Sequence, residues 1–229
     1  STGLADTAYL VLKQVLDTIE QEINTALLTD TTNYLMQTPA GKVSPALQKL
    51  EVSLVGTGFK TLESEGFIYV VQHYSFIFQQ VKNTVSNTMS EYLTQIVKEN
   101  NEGFSVDAAI TIQPSQHIER IVWYEQFIAR NPEFVLISNC KAYKKAYLTY
   151  LFSGMDNTKL FSDLSAMRLN SYFQQAYKLV LQKYPHSECA SLVKPLLHAI
   201  EQKNMNALNE LLKNYSIKGF IFSQKPQFE

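Results

Sequence analysis

Residues Ser115–Phe173 read SQHIERIVWYEQFIARNPEFVLISNCKAYKKAYLTYLFSGMDNTKLFSDLSAMRLNSYF. Ile118, Ile121, Val122 and Ile128 recur at three- and four-residue steps, the spacing of one helix face. Ser115 can cap that helix. It should stop near Arg130, because Asn131 precedes Pro132 and the residue before a proline is pushed out of helical geometry. Pro132 suits the first position of a second helix, with Val135, Cys140, Tyr143, Tyr147 and Leu151 on its apolar side. A polar turn at Ser153-Gly154-Met155-Asp156 leads into a third. Asp156 or Asn157 would cap it, and Leu160, Leu164, Met167, Tyr172, Ala176 and Val180 would face inwards. Three consecutive helical patterns make the expected fold class all-α.

The same reading extends to both ends. Tyr184-Pro185 closes the third helix. Ser187 caps a fourth through Leu192, Leu196 and Ile200, with Pro195 as a candidate kink, and Asn204 caps a fifth through Leu208, Leu211 and Leu212. Near the start, Leu12, Val15, Leu16, Ile19, Ile23 and Leu27 share one face of a helix expected over 6–28. Residues 29–41 read as a loop with one helical turn at Tyr34-Leu35. Ser44-Pro45 then starts a helix through Leu47, Leu50 and Leu54 that Gly56 and Gly58 weaken. The longest periodic block, 67–98, carries Phe67, Val70, Val71, Tyr74, Phe78, Val81 and Val85, then Met89, Leu93 and Ile96. Its polar stretch Asn83–Asn87 permits a break. Residues 100–114 lack a helical period, and Ala108–Ile112 suits a short strand or packed loop. The expected layout is an N-terminal helical bundle over 1–100, packed through Val70, Tyr74 and Phe78 on a helical core over 115–229. Strand is expected only in 104–113 or the last dozen residues, and the apolar Phe220-Ile221-Phe222 is expected to fold back on the body.

Composition narrows the function classes. Forty-five per cent of the 229 residues are apolar, enough for a sizeable core. Twenty basic residues against twenty-one acidic ones give no general attraction to nucleic acid or to an anionic membrane. No apolar run approaches the ~20 residues of a membrane span. The chain opens without a basic segment followed by an apolar one, so the expected compartment is cytosolic. Two cysteines, Cys140 and Cys189, allow one disulfide at most, and in a cytosolic chain read as reduced thiols.

Patterns of covalent chemistry are missing. The chain has no phosphate-binding glycine loop, no serine elbow and no paired-histidine zinc helix. His73, His117, His186 and His198 are scattered without a second ligand at helical spacing, so no metal is expected. Cys140 beside Asn139 lies on an apolar stripe, which favours a packed thiol over a nucleophile.

One ordered set of residues remains: Ser115, Asn131-Pro132, Ser138-Asn139, Tyr143, Gly154-Met155-Asp156 and Phe161-Ser162-Asp163-Leu164-Ser165-Ala166. In order and spacing it resembles the Vps9 domain, the helical exchange module for endosomal Rab GTPases. The spacing from serine to Asn-Pro matches without a gap, and later segments need one-residue adjustments. The resemblance implies a helical bundle followed by a helical core, and a guanine-nucleotide exchange activity. It implies an apolar groove between the helices starting at Ser115 and Asp156, with Ser115, Asn131, Pro132, Asn139, Asp156, Ser162 and Asp163 as GTPase-binding residues.

The family's acidic finger displaces magnesium and meets the phosphate-loop lysine of the GTPase. The matching positions here are His117-Ile118. The nearest acid is Glu119, one residue on and turned by about 100° around the helix, so Glu119 takes the catalytic role in this reading. Thr158 and Lys159 stand where the family has a tyrosine. No cofactor stays with the chain, since magnesium and nucleotide belong to the partner. The resemblance also fits an effector secreted into a host cytosol. Two other classes stand beside it: a helical adaptor that binds a protein surface without catalysis, and an enzyme with a site of its own.

Overall fold

The computed structural model describes residues 2–29, 44–64 and 67–223. The expected loop at 29–41, with its turn at Tyr34-Leu35, lies almost wholly outside them, as do the last six residues. The chain divides into two compact units, Ser1–Glu102 and Gly103–Glu229, and is mostly helical.

The first unit contains α1 (Thr2–Thr29), α2 (Pro45–Leu54), β1 (Phe59–Ser64), β2 (Phe67–Gln72), α3 (Tyr74–Val81) and α4 (Asn87–Glu102). Ser44 caps α2 through a bond from the Leu47 amide, with Pro45 at the first position, as the sequence suggests. The helix expected from Phe67 onwards is corrected. Phe67–Gln72 is a strand, paired antiparallel with Phe59–Ser64 in the register Phe59↔Gln72 to Ser64↔Phe67. The run Phe-Ile-Tyr-Val-Val is aromatic and β-branched, side chains that lose rotamer freedom in a helix and fit a pleated surface. Helix begins only at Tyr74 and breaks over 82–86, overlapping the polar stretch, before resuming at Asn87.

Helix α1 rests on β2, and polar groups hold it there. The Asn24 amide donates to the Val70 carbonyl and accepts from the Val70 N–H, both at 2.8 Å. It thereby supplies the partner that the outer edge of β2 would otherwise lack. Glu20 accepts from the Gln72 N–H at 3.2 Å, and Asp17 from the Gln72 side chain at 2.7 Å. The Asp6 carboxylate receives the Ser86 N–H and hydroxyl at 2.7 and 2.6 Å, and Ser86 in turn caps α4 through the Met89 amide. The inward face of α1 is therefore a mixed one, with Tyr9 buried beside these polar groups, and only part of the expected apolar face is on it. Leu16 is buried, but Leu12, Val15 and Ile19 are exposed.

The second unit runs β3 (Ser105–Val106), β4 (Ala109–Ile110), α5 (Pro114–Arg130), α6 (Ile137–Ser153), β5 (Gly154–Met155), β6 (Thr158–Lys159), β7 (Phe161–Asp163), β8 (Arg168–Leu169), α7 (Ser171–Lys183), α8 (Glu188–Glu201) and α9 (Met205–Ile217). Helix α5 is its centre, packed against α6, α7 and α8. Ile118, Ile121, Val122, Tyr124 and Phe127 bury its inner side. At roughly 1.5–3 kcal/mol for each such side chain, that is about 10 kcal/mol of gross apolar stabilisation. Asn170, Ser187 and Asn204 cap α7, α8 and α9 through the amides of Tyr172, Ala190 and Ala207. Tyr184-Pro185 ends α7 as expected. Ile221 is buried, and the Phe222 N–H donates to the Thr149 hydroxyl at 3.0 Å, so the apolar tail does fold back. Of the two readings of 108–112, strand or packed loop, Ala109–Ile110 takes the first as β4.

Three expectations in this unit are corrected. Pro132 does not open α6, which starts at Ile137 after turns at Phe134 and Ile137. Pro114, not Ser115, leads α5, and the Gln116 side chain accepts from the Gln113 amide at 2.8 Å. Most consequential, neither Asp156 nor Asn157 caps a helix. Two antiparallel hairpins, β5–β6 and β7–β8, occupy 154–169, and α7 begins only at Ser171. Strand thus extends well beyond 104–113, though always as two-stranded pairs among the described residues.

Gly154 explains the switch. It ends α6 at φ 72° and ψ −166°, a conformation open essentially to glycine. A Cβ there would lie 2.5 Å from the Thr158 carbonyl oxygen and 2.7 Å from the Leu160 nitrogen. Gly154→Ala should therefore lower unfolding free energy by about 3 kcal/mol in urea titration, from strain and the forced clash together. At the β3–β4 turn, Asp107 and Ala108 both have positive φ (49° and 52°). Their carbonyls receive the Asn157 side chain and backbone N–H at 2.6 and 3.0 Å. Ala108→Gly relieves the left-handed strain at some entropic cost. It should be neutral or stabilising by up to ~1 kcal/mol in the same titration.

Candidate functional site

Helix α5 divides into an inner side committed to folding and an outer strip. His117 anchors the inner side and is fully buried. Its Nε2 lies 2.9 Å from the Tyr147 carbonyl, which can only accept, so Nε2 carries the proton. Its Nδ1 then accepts from the Tyr172 hydroxyl at 3.2 Å. One imidazole thus joins α5 to α6 and to α7. Burial, reinforced by the nearby Arg120 guanidinium, holds His117 down at about 4, against the Tyr147 bond that favours the charged form. The same burial pushes the Tyr172 hydroxyl well above its usual range. Arg120 donates to the Tyr147 hydroxyl at 3.2 Å and to the Gly103 carbonyl at 2.7 Å. Phe104 packs edge-on against His117 at 5.2 Å between ring centres.

Two turns further, Glu125 serves α8. Its carboxylate accepts from the Glu188 and Cys189 amides at 3.0 and 2.8 Å, filling the positive end of that helix. Burial raises its carboxyl above the ordinary range, and the amide bonds oppose this. Lys144 on α6 pairs with Glu188 at 2.7 Å. Cys189 and Cys140 are buried, and burial pushes the Cys189 thiol up, which suits packing and not nucleophilic attack.

The outer strip presents Ser115, Glu119 and Trp123 at four-residue steps, all partly exposed, and then Gln126 and Arg130. Glu119 accepts from Lys183 at the end of α7 at 3.0 Å, and Lys183 also lies 5.2 Å from the Tyr184 ring centre. Trp123 stacks on Phe127 at 4.8 Å. Tyr172 and Lys183 stand at opposite ends of α7, yet both reach the first two turns of α5. Eleven residues of helix span about 16 Å, so α7 crosses α5 and does not run along it.

Along α5 the sequence-expected site residues fall into two groups, and Asp156, Ser162 and Asp163 lie on the hairpins. Ser115 and Glu119 lie at the start of α5. Asp156 is exposed at the tip of β5–β6, whose neighbours Asn157 and Thr158 bond the β3–β4 hairpin just before α5. Ser162 is exposed on β7 and donates across its hairpin to the Arg168 carbonyl at 3.1 Å. Asp163 accepts from the Ser165 hydroxyl at 2.7 Å and the Ala166 amide at 3.1 Å, and these bonds hold its carboxyl below the usual range. The second group sits at the far end of α5. Asn131 caps that helix, its side chain donating to the Phe127 carbonyl at 3.0 Å. Pro132 and Asn139 are exposed beyond it. Sixteen residues of helix, about 24 Å, separate Ser115 from Asn131, so the two groups are not one cluster.

Sequence reasoning did not reach Lys183 as the partner of Glu119, because 64 positions separate them and a lone lysine carries no pattern. It also passed over Trp123, although its four-residue step from Glu119 was visible. Among the described residues, no group of three or more His, Cys, Asp or Glu side chains is arranged to hold a metal ion, and no helix is long and apolar enough to cross a membrane. Comparison with protein-family models, with curated proteins and with solved structures returned no match.

The buried imidazole makes stability depend on pH. A group near 6.5 when unfolded and about 4 when folded binds more protons unfolded across that window. Its contribution is complete above pH 6.5 and is lost as pH falls towards 4, up to about 3 kcal/mol. Glu125, raised in the fold, opposes the loss in the acid part of that range. Urea unfolding should therefore weaken between pH 7 and 4.5, and the His117 ring signals in NMR should keep their neutral shifts down to about pH 5. Protonation of His117 near pH 6.5 in the folded chain would contradict the assignment.

Proposed function

We propose that the chain is a guanine-nucleotide exchange factor for a Rab-type small GTPase, with the outer strip of α5 as its working surface. The observation that carries this reading is Glu119. It is a partly exposed carboxylate on a helix whose other side is locked by His117, Arg120 and Glu125, with Trp123 beside it. A carboxylate presented on a rigid element can compete for magnesium and for a phosphate-binding lysine without paying to be ordered first. Its bond to Lys183 is an exposed, solvent-screened ion pair, exchangeable for a partner's cation. Affinity would come from apolar contact around Trp123, rate from the charge. Asp156, Ser162 and Asp163 stand on the hairpins as rim contacts.

A second reading, a protein-binding adaptor without catalysis, is favoured by one feature. Hairpins replace the helix that should start at Asp156, so the groove implied by the resemblance lacks one of its two walls.

Release of fluorescent GDP from a panel of Rab proteins separates the two. The exchange reading expects the chain to accelerate release from at least one. Glu119→Ala should cut that acceleration by roughly 10²-fold, about 2.7 kcal/mol, with binding to the nucleotide-free GTPase retained. Binding without acceleration would establish the adaptor reading.

A further inference from the structure

Helix α1 buries Tyr9 and Leu16 and leaves a second, wider set of apolar side chains uncovered. Its charged residues before Ile19 are Asp6, Lys13 and Asp17. Asp6 bonds Ser86, while Asp17, itself largely exposed, bonds the Gln72 side chain and pairs with Lys13, and all three lie away from the apolar stripe. The opposite side carries Leu4, Ala8, Val11, Leu12, Val15 and Ile19, every one exposed. Leu4 is 73% exposed, Val11 59% and Val15 49%. At about 100° per residue these six fall within a stripe about 100° wide, and Leu4, Ala8, Val11 and Val15 follow the alternating four-three-four step of a coiled-coil seam. The flanking Thr7, Gln14 and Thr18 are exposed and uncharged.

Two properties of the stripe select its occupant. Its spacing reads the same in both directions about the midpoint between Val11 and Leu12. An identical helix laid antiparallel therefore sets Leu4 against Ile19 and Ala8 against Val15, with Val11 and Leu12 each beside its own copy near the axis, apolar on apolar throughout. That is the self-complementarity a two-fold interface requires. The stripe and its flanks also carry no charge up to Ile19, so two copies meet without like-charge repulsion, and antiparallel helix dipoles favour the arrangement. A membrane surface would instead be met by lysine and arginine around the stripe, and Lys13 alone stands on this half of the helix.

We infer that the outer face of α1 is a homodimer interface, formed by two antiparallel α1 helices related by a two-fold axis. The occupant is a second copy of this chain. The buried face of α1 stays on β2 in both copies, so pairing leaves the first unit intact.

Sedimentation of the full chain from about 1 to 200 μM tests this. The wild type should pass from monomer to dimer across that range. The doubly substituted V11D/V15E should remain monomeric at the highest concentration, with unchanged circular dichroism and thermal midpoint, because both side chains are exposed. A second measurement fixes orientation: under mild oxidation Leu12→Cys should cross-link to itself across the axis, and the pair Leu4→Cys with Ile19→Cys should cross-link 4 to 19. A wild-type chain that is monomeric throughout overturns the inference. So does a dimer that survives V11D/V15E, or cross-linking of 4 to 4 in place of 4 to 19. A folded V11D/V15E that still binds vesicles as the wild type does leaves the dimer assignment standing, whereas loss of vesicle binding with no wild-type dimer replaces it with a membrane surface.

Discussion

The two hydrogen bonds of His117 are the constraint on which the second unit rests. A neutral imidazole, buried in α5, donates to a main-chain carbonyl of α6 and accepts from a tyrosine hydroxyl of α7. Each bond is modest, yet leaving either group unpaired in the interior would cost about 1–3 kcal/mol. Arg120 and Glu125 extend the same commitment, the first to Tyr147 and Gly103, the second to the start of α8. With its inner side fixed at three levels, α5 can present Glu119 and Trp123 outwards without reorganising. The resemblance to the Vps9 domain places an acid at the positions of His117-Ile118, both buried here. The structure gives those positions a folding role, and moves the available carboxylate to the outer strip.

The first unit is held by a different device. Its hairpin cannot close its own outer edge, and α1 does so with side chains: the Asn24 amide on Val70 and the Glu20 carboxylate on Gln72. Those polar groups share the inner face with Tyr9 and Leu16, and Leu4, Val11, Leu12, Val15 and Ile19 are left exposed.

Capping chemistry is what the sequence disclosed best. Ser44, Asn170, Ser187 and Asn204 each cap a helix, and all but Asn170 were readable beforehand because the cap stood next to a clean apolar period. The misreadings share a cause. Phe67–Val71 and Leu160–Leu169 contain apolar residues that satisfy helical and alternating spacing alike over short windows. What decides them is non-local: pairing with 59–64 in one case, and the glycine-only conformation of Gly154 in the other. Leu12, Val15 and Ile19 of α1 read as part of an inner face, with the buried Leu16, for the same reason, since periodicity reports a stripe and not what covers it. In the candidate site, Glu119 was legible as the nearest acid, but its distance from Asn131 and its bond to Lys183 exist only once α7 crosses α5.

The central claim is that the outer strip of α5 meets a GTPase. Trp123 is the sole tryptophan and lies one turn from Glu119 on that strip. Fluorine NMR of the chain labelled with 5-fluorotryptophan therefore gives one resonance at the place in question. Adding a nucleotide-free Rab-type GTPase should shift or broaden that resonance, and adding GDP with magnesium should restore it. A resonance unmoved by every GTPase of the panel would contradict the account.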